Sequence, residues 1–398
     1  MLSGSTALSA VVLSGCAGLT PRNGISDVGL QRKAVISGLP GVRFWGDEVP
    51  SDLQAALHKA FSVSAQFVPA TATAADGRPL VNVLALSGGG PDGAFGAGLL
   101  AGWTARGTRP TFQIVTGVSA GAIIAPLAFL GPHYDKSLAQ IWTETKLTDL
   151  VVFQGVTGIL GGTAAVDTAP LAAAIAKYVT PRLLREVARE YHRGRLLLIG
   201  TTNLDAQRPV VWNMGAIAAS GHPDAVELFR KVILASAAIP GLFPPVAIEV
   251  EANGKIYEEM HVDGGTTRDV FVSPYPVAYN AFDRFYKAAP VRRLYIVANG
   301  KITPEPEIVT AQTLSIAARA ISTLLKSQHV GEINLIYRRT QDSGAEFNLM
   351  AVPPDFAVAD TSLGDPVYQK ALYDVGYRLG REGGNWMKRP PVASDRRT

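Results

Sequence analysis

A serine flanked by glycines is the residue of this sequence best suited to chemistry. Ser119 is the centre of the pentapeptide GVSAG, and a mostly apolar stretch, Gly121 to Leu130, follows it. Such a serine is typical of a sharp strand-to-helix turn that projects the hydroxyl above a sheet, where it can attack a carbonyl carbon. A serine hydroxyl is a poor nucleophile until a base takes its proton. The sequence must therefore also supply a base and a group that stabilises an oxyanion.

Two histidines are candidates for that base. The order nucleophile, acid, histidine of an α/β-hydrolase is satisfied by Ser119, Asp263 and His329. His329 lies near the end of a helix predicted over 308–330, where a surface or capping histidine is the simpler interpretation. His261 precedes Asp263 by two residues on a predicted strand, so both side chains face one side. A structural role is the simpler interpretation for His261 as well.

Asp263 is the third candidate, acting on Ser119 directly. An aspartate with a pKa of about 3.9 is a weak base, so such a dyad requires a desolvated carboxylate within hydrogen-bonding reach of the hydroxyl. Gly264 and Gly265 would let the chain turn sharply after the strand and aim the carboxylate inwards. The residues alone leave both the Ser-Asp dyad and the Ser-His-Asp triad open.

A glycine-rich loop precedes the serine and is the candidate oxyanion hole. Gly88, Gly89 and Gly90 follow a predicted strand, 80–86, and lead into a helix for which Gly107 is a suitable end. Backbone N–H groups at such a loop and at a helix N-terminus can stabilise a negative oxygen. A nucleotide-binding loop is the alternative, but no GK[ST] follows the glycines and no acidic ribose-binding context accompanies them.

The succession of elements predicts an α/β fold. Two strand–helix units in a row, around the glycine loop and around Ser119, indicate a mainly parallel sheet with helices on its faces. Further strands are predicted at 195–201, 209–214, 256–262, 293–298 and 347–352, and further helices at 135–146, 169–178, 182–191, 227–235, 308–330 and 368–381.

Four sequence blocks, in order over residues 80–300, resemble the patatin-like phospholipase family: SGGGPDGAFGAG, GVSAG, SAAIPGLFPPV and VDGG. The resemblance implies a three-layer α/β/α fold with a mainly parallel central sheet. It also implies a catalytic dyad of Ser119 and Asp263, with the glycine loop as oxyanion hole. The implied activity is hydrolysis of lipid acyl esters (phospholipid, lysophospholipid or neutral ester) through an acyl-serine, without a metal or cofactor.

One position departs from the family pattern. Where the family often carries Lys or Arg after the three glycines, this chain has Pro91 and Asp92. A cation there could pair with a phosphate, whereas an aspartate would repel one. We therefore expect neutral esters to be preferred over anionic phospholipids.

The N-terminus resembles that of bacterial lipoproteins. Residues 1–15 carry no charged side chain, and LSGC ends at Cys16, the only cysteine of the chain. We interpret residues 1–16 as a signal segment with a lipobox, Cys16 as the lipidated residue, and the protein as an outer-membrane-anchored lipoprotein of the bacterial cell envelope. The usual basic residue near the start is missing, and an apolar helix with a buried cysteine is the alternative. A lipoprotein that binds lipid without catalysis is a further alternative.

Composition and length are those of a globular protein. The 398 residues include 37 basic and 33 acidic side chains, a small imbalance that does not indicate a nucleic-acid partner. We divide the chain after the signal segment into an N-terminal spacer or ornament, a catalytic core, a C-terminal helix–strand–helix extension packed on that core, and a basic tail: 17–79, 80–300, 301–387 and 388–398. The apolar stretch 151–166 is interpreted as a lid, an acyl channel or a buried connection.

Overall fold

The structure, a computed structural model, describes residues 22–49, 73–145, 152–153, 166–273, 277–281, 283, 286, 288–358 and 364–391. Several sequence interpretations fall on other residues. Cys16 and the signal segment lie outside the described ranges, as do most of 151–166 and the end of the basic tail.

The strands, in chain order, are β1 (Arg43–Trp45), β2 (Leu80–Leu86), β3 (Ile114–Gly117), β4 (Val152–Phe153), β5 (Val166–Asp167), β6 (Leu196–Asn203), β7 (Arg208–Asn213), β8 (Val246–Ala252), β9 (Lys255–Asp263), β10 (Val291–Ala298) and β11 (Glu346–Ala351). The α-helices are α1 (Val28–Lys33), α2 (Gly93–Arg106), α3 (Ala120–Leu130), α4 (Asp135–Thr143), α5 (Ala169–Tyr178), α6 (Pro181–His192), α7 (Met214–Ala219), α8 (Ala225–Ser236), α9 (Thr313–Ser343) and α10 (Pro366–Glu382). Short 3₁₀ turns cover Gly90–Asp92, Pro132–Tyr134 and Gly264–Thr266.

The central sheet has the strand order β1-β7-β6-β3-β2-β10-β11. The pairs from β6 through β3, β2 and β10 to β11 are parallel. Antiparallel pairing occurs where β7 joins β6 and β1 joins β7, and where β9, itself paired with β8, lies along β6. The predicted mainly parallel sheet is confirmed, and β1 and β8 are strands that the sequence patterns did not predict.

Alternating side chains of β2 show that the sheet is covered on both faces. Leu84 and Leu86 belong to one buried cluster, which includes apolar residues of α2 and α3. Val81 and Val83 belong to a second cluster, which includes Ile333 and Ile336 of α9 and neighbours from β10 and β11. Because successive strand residues point to opposite faces, the two clusters are the two interfaces of a three-layer α/β/α fold.

Helix α9 is the element whose prediction was most in error. The sequence patterns end this helix at Val330, before a glycine, but it continues through Gly331 to a left-handed Gly344. Gly331 has open space around its Cα, and the helix beyond it buries apolar residues against the sheet. Tertiary packing therefore outweighs the modest helix-breaking tendency of a single glycine.

Helices α2 and α10 pack backbone to backbone. A Cβ added at Gly98 or Gly102 of α2 would collide with main-chain atoms of α10, and a Cβ added at Gly376 or Gly380 of α10 would collide with those of α2. The four glycines thus permit an interhelical approach closed to larger residues. Helix α10 supports the helix that follows the glycine loop.

Long apolar helices are lacking in the part of the chain that the structure describes: none there meets the length and hydropathy of a membrane-spanning helix.

Candidate active site

Ser119 lies on a strained turn between β3 and α3. Its backbone has φ 53° and ψ −121°, a region that residues with a side chain rarely adopt. Gly117 and Gly121 flank it because a Cβ at either position would collide with backbone atoms. The Ser119 N–H donates to Ser236 Oγ at 3.0 Å, and that hydroxyl donates to the Gly200 carbonyl at 2.6 Å. These bonds fix the turn that presents the nucleophile.

Asp263 ends β9 beside this serine. Its carboxylate lies next to the Ser119 side chain, and its Oδ1 accepts the Gly265 N–H at 2.8 Å. Only 6% of Asp263 and 5% of Ser119 is exposed. Burial raises the pKa of Asp263 to about 7, against the lowering effects of Ser119 and the Gly265 N–H, and the nearby charge of Asp269 raises it further. The structure therefore gives this carboxylate the basicity that an ordinary aspartate lacks.

The segment around Ser236 connects the two residues. Ser236 binds the Ser119 N–H through its side chain, and the Ala238 carbonyl accepts the Asp263 N–H at 2.9 Å. Sequence reasoning assigned this block to the family pattern without a role. Its structural role is to hold the nucleophile turn and the end of β9 together.

The glycine loop lies beside the Ser119 turn and lines the same cleft as Ser119 and Asp263. The Gly88 N–H donates to the Asp269 carbonyl at 3.1 Å. Gly89 and Gly90 have φ values of 145° and 54°, and their N–H groups make no hydrogen bond to another described residue. The loop therefore offers two free donors at the start of the turn that leads into α2.

Asn299, at the end of β10, holds the glycine loop in place and was missed by sequence reasoning. Its Nδ2 donates to the Ser87 carbonyl at 2.8 Å, and its Oδ1 accepts the Gly96 N–H of α2 at 3.1 Å. The Asn299 carbonyl occupies the space that a Cβ at Gly89 would need. A polar Asn-Gly pair directly after an apolar strand is the signal that could have identified it.

A cleft of about 360 Å³ opens over these groups and is bounded on one side by α9. Charges of both signs line it. Lys301 and Lys326 both pair with Glu305, the former at 3.7 Å. Asp92 lines the cleft as predicted for its loop position, and its Oδ1 accepts a hydrogen bond from Tyr368 at 2.9 Å. Burial raises the pKa of Asp92 to about 6.

His261 is sealed in a network away from this cleft. Its Nε2 lies 3.1 Å from Glu259 Oε2 and its Nδ1 lies 3.0 Å from Thr201 Oγ1, and 0% of the residue is exposed. Glu259 also pairs with Arg43. Burial lowers the pKa of His261, although Glu259 opposes that effect. Both ring nitrogens are thus occupied by structural partners, and His261 does not line the cleft.

His329, in contrast, lines the cleft together with Ser119 and Asp263. The interpretation of His329 as a surface or capping residue at a helix C-terminus is wrong, because α9 continues to Ser343 and only 7% of His329 is exposed. Its Nδ1 lies 2.5 Å from Asp269 Oδ2. The carboxylate beside His329 is therefore Asp269, whereas the predicted triad used Asp263.

A serine on a strained strand-to-helix turn, next to a buried carboxylate and a glycine loop, is the arrangement of a serine hydrolase of the α/β class. Residues 84–279 match the family model described as Patatin-like phospholipase. The chain therefore contains a patatin-like phospholipase domain, and this match supports lipid ester hydrolysis as its activity. No curated protein matches the chain.

Loose similarity to solved structures accompanies the family match. VipD from Legionella pneumophila has 13% identity and a TM-score of 0.38, with 78% of this chain and 69% of VipD covered. ExoU from Pseudomonas aeruginosa, solved with SpcU, has 16% identity and a TM-score of 0.31, with 77% and 52% covered. Human GIVD cytosolic phospholipase A2 has 9% identity and a TM-score of 0.33, with 85% and 63% covered. The chain spans about half the length of ExoU.

Proposed function

We propose that the protein hydrolyses lipid acyl esters through an acyl-Ser119 intermediate, with Asp263 as the base. The observation that carries the proposal is the position of Ser119, on a strained turn at the cleft, next to a buried carboxylate whose pKa is raised to about 7. A base is most effective when its pKa lies near the working pH. Asp263 can thus accept the serine proton as Oγ attacks the ester carbonyl carbon.

The glycine loop supplies the oxyanion donors in this proposal. The N–H groups of Gly89 and Gly90 have no hydrogen-bond partner within the described ranges and lie at the start of a helical turn, whereas the Gly88 N–H is bonded to Asp269. Gly88 has a spatial role instead, because a Cβ there would collide with Asp269 and lie 3.2 Å from Ser119 Cβ. Removing one donor of an oxyanion hole typically costs about 3–4 kcal/mol of transition-state stabilisation.

Neutral esters are the proposed preferred substrates. Asp92 lines the cleft next to the glycine loop and is an anion above its pKa of about 6. The two lysines of the cleft are both paired with Glu305, which offsets much of their charge. An anionic headgroup entering the cleft would therefore approach Asp92 without an unpaired lysine to compensate.

Replacement of the nucleophile tests the proposal. Ser119→Ala should abolish hydrolysis of both short and long acyl esters and the labelling of the protein by a fluorophosphonate probe. Ser220→Ala is a matched control, because Ser220 only binds backbone groups of a neighbouring turn. Ester hydrolysis by folded Ser119→Ala protein would refute the assignment. A folded wild-type protein that does not react with the probe would favour the alternative of a non-catalytic lipid-binding lipoprotein.

Anchorage to the bacterial outer membrane through lipidated Cys16 remains part of the proposal. It is supported by the LSGC sequence and by the sole cysteine of the chain. Metabolic labelling with a fatty acid should mark the wild-type protein and not a Cys16→Ala variant. Equal labelling of both proteins, or recovery of both from the soluble fraction, would exclude this anchorage.

A further inference from the structure

The face of α9 that borders the cleft presents three polar side chains and one leucine at helical spacing. Ser322, Leu325, Lys326 and His329 occupy positions i, i+3, i+4 and i+7 and all line the cleft. The family match ends at residue 279, so this wall comes from outside the matched segment. This face of α9 lies opposite Ser119 and Asp263, where it is available to act on the leaving group of the ester.

His329 is the member of this wall with an unfilled hydrogen-bonding group. Its Nδ1 lies 2.5 Å from Asp269 Oδ2 without hydrogen-bonding geometry, and both ring nitrogens are buried and have no hydrogen-bond partner among the described residues. Buried polar atoms are nearly always bonded, so an unpartnered imidazole in a residue that lines the cleft indicates a group that the substrate completes. With a carboxylate next to Nδ1 to stabilise the imidazolium, Nε2 is the nitrogen left for proton transfer.

Asp269 brings this histidine to the nucleophile. A Cβ at Gly88 would collide with Asp269 Oδ1 and would lie 3.2 Å from Ser119 Cβ, so the carboxylate and the serine flank the same glycine. Glu332, three residues beyond His329 on α9, accepts the N–H groups of Asp269 and Val270 at 2.9 and 3.0 Å. Helix α9, the Asp269 carboxylate and the glycine loop therefore form one connected structure.

We propose that His329 is a catalytic residue that transfers protons on the leaving-group side of the reaction, while Asp263 serves Ser119 alone. This inference rests on the proposed acyl-Ser119 mechanism. In acylation, Asp263 takes the Ser119 proton, the Oγ–C bond forms, and the ester C–O bond breaks as imidazolium Nε2 gives its proton to the departing alcohol oxygen. In deacylation, neutral His329 takes a proton from the attacking water, and Asp263 returns its proton to Ser119 Oγ as the acyl bond breaks. Both residues end in their starting states.

The position of Asp263 is consistent with this division of roles. Its carboxylate accepts the Gly265 N–H and lies next to Ser119, which directs it towards the nucleophile. Its pKa of about 7 allows it to hold the proton during the lifetime of the acyl-enzyme. A second group is then needed for the alcohol and the water.

Leaving-group dependence distinguishes this role from a purely structural one. In His329→Gln, turnover of a glyceryl or alkyl butyrate should fall about 10²- to 10³-fold, since an alkoxide needs a proton in order to leave. The pre-steady-state burst of p-nitrophenol from p-nitrophenyl butyrate should stay within about threefold of wild type, because nitrophenolate leaves as a stable anion. The steady state after the burst should be slow, since deacylation has lost its base. Fluorophosphonate labelling of Ser119 should keep its wild-type rate.

Two further variants serve as controls. His133→Gln changes a largely exposed histidine that contacts Glu186 and should leave all these rates unchanged. Glu332→Gln weakens the attachment of α9 to the loop without removing His329, and should lower alkyl and nitrophenyl acylation by the same factor. If His329→Gln is not recovered folded, His329→Asn is the substitute.

The outcomes are distinct. Equal losses in the acylation rates of both esters in His329→Gln, with slower probe labelling, would show that His329 only positions the loop and would overturn the proposal. No loss with either ester would overturn it too. Failure of the dyad itself would appear differently, as hydrolysis surviving in Ser119→Ala. A selective loss for poor leaving groups would support the assignment.

Discussion

Two of the histidine–carboxylate pairs among the described residues are buried, and they have opposite surroundings. His261 is enclosed by Glu259, Thr201 and the sheet, and both of its ring nitrogens have partners. His329 is nearly as buried, but it lines the cleft, its Nδ1 contacts Asp269, and neither of its ring nitrogens has a hydrogen-bond partner among the described residues. The comparison shows that burial and a carboxylate partner do not by themselves distinguish a structural histidine from a functional one. What distinguishes the two histidines is whether their ring nitrogens already have hydrogen-bond partners and whether the side chain lines the cleft.

The comparison would fail most completely if a histidine, rather than Asp263, activated Ser119. Asp263→Asn should lower ester turnover by at least about 10³-fold, because the amide cannot accept the serine proton. Both histidine pairs remain intact in this variant. Turnover within about tenfold of wild type, measured with an alkyl ester, would show that a histidine serves as the base.

The same substitution should stabilise the folded protein in alkaline solution. The pKa of Asp263 is raised from 3.8 to about 7, so burial of its charge opposes folding above pH 7. The variant should gain about 2–4 kcal/mol in the free energy of unfolding at pH 8 and little below pH 4. Urea unfolding at the two pH values measures this difference. An equal effect at both pH values would contradict a charge-based cause.

The structural side of the comparison is tested by His261→Gln. Loss of the bonds to Glu259 and Thr201 should lower the free energy of unfolding by about 2–4 kcal/mol, since it leaves Glu259 with fewer partners in the core. The turnover of the folded protein should remain within about twofold of wild type. Thermal unfolding together with active-site titration measures both quantities. A selective loss of turnover in stable His261→Gln protein would give this histidine a catalytic role.

The pH dependence separates the carboxylate from the histidine. Below pH 7 Asp263 becomes protonated, so kcat/KM should fall about tenfold per pH unit. The rate of fluorophosphonate labelling should show the same acidic limb in wild-type and His329→Gln proteins, because Asp263 is present in both. If the labelling rate of His329→Gln no longer falls at acidic pH, the titrating group is His329 and not Asp263.

The smallest expected effect concerns the entrance of the cleft. Asp92→Asn should raise the rate on an anionic phospholipid relative to a neutral ester about two- to tenfold. Since the pKa of Asp92 is about 6, the same ratio should increase for wild type as the pH falls below 6. A mixed-substrate assay cancels the common dependence on Asp263. If neither Asp92→Asn nor a lower pH changes the ratio of the two rates, Asp92 does not contribute to substrate selection.

Local patterns predicted much of this molecule. The strands β2, β6 and β10 and the helices α2 and α5 lie close to their predicted bounds, because short apolar runs and glycine punctuation mark them strongly. Ser119 and Asp263 were paired by the family resemblance, and the structure brings their side chains together.

The remaining parts depend on contacts between distant segments. No local pattern shows that α9 passes through Gly331 and lines the cleft, because the reason is burial of Ile333 and Ile336 against the sheet. The same holds for Asp269, which matters only because α9 reaches it. Sequence reasoning therefore paired Ser119 with Asp263, which the structure places side by side, and misplaced His329, which lines the same cleft.

The contact between α2 and α10 has a consequence for the order of events during biosynthesis. The four glycines that let these helices touch come from widely separated parts of the chain, so a ribosome completes α2 long before its partner exists. Contacts between such distant segments form late in folding, because closing a long loop costs entropy before any contact is gained. The glycine loop at the start of α2 would then reach its final packing among the last parts of the fold. We therefore expect the glycine loop to be fully packed only after α10 has docked on α2.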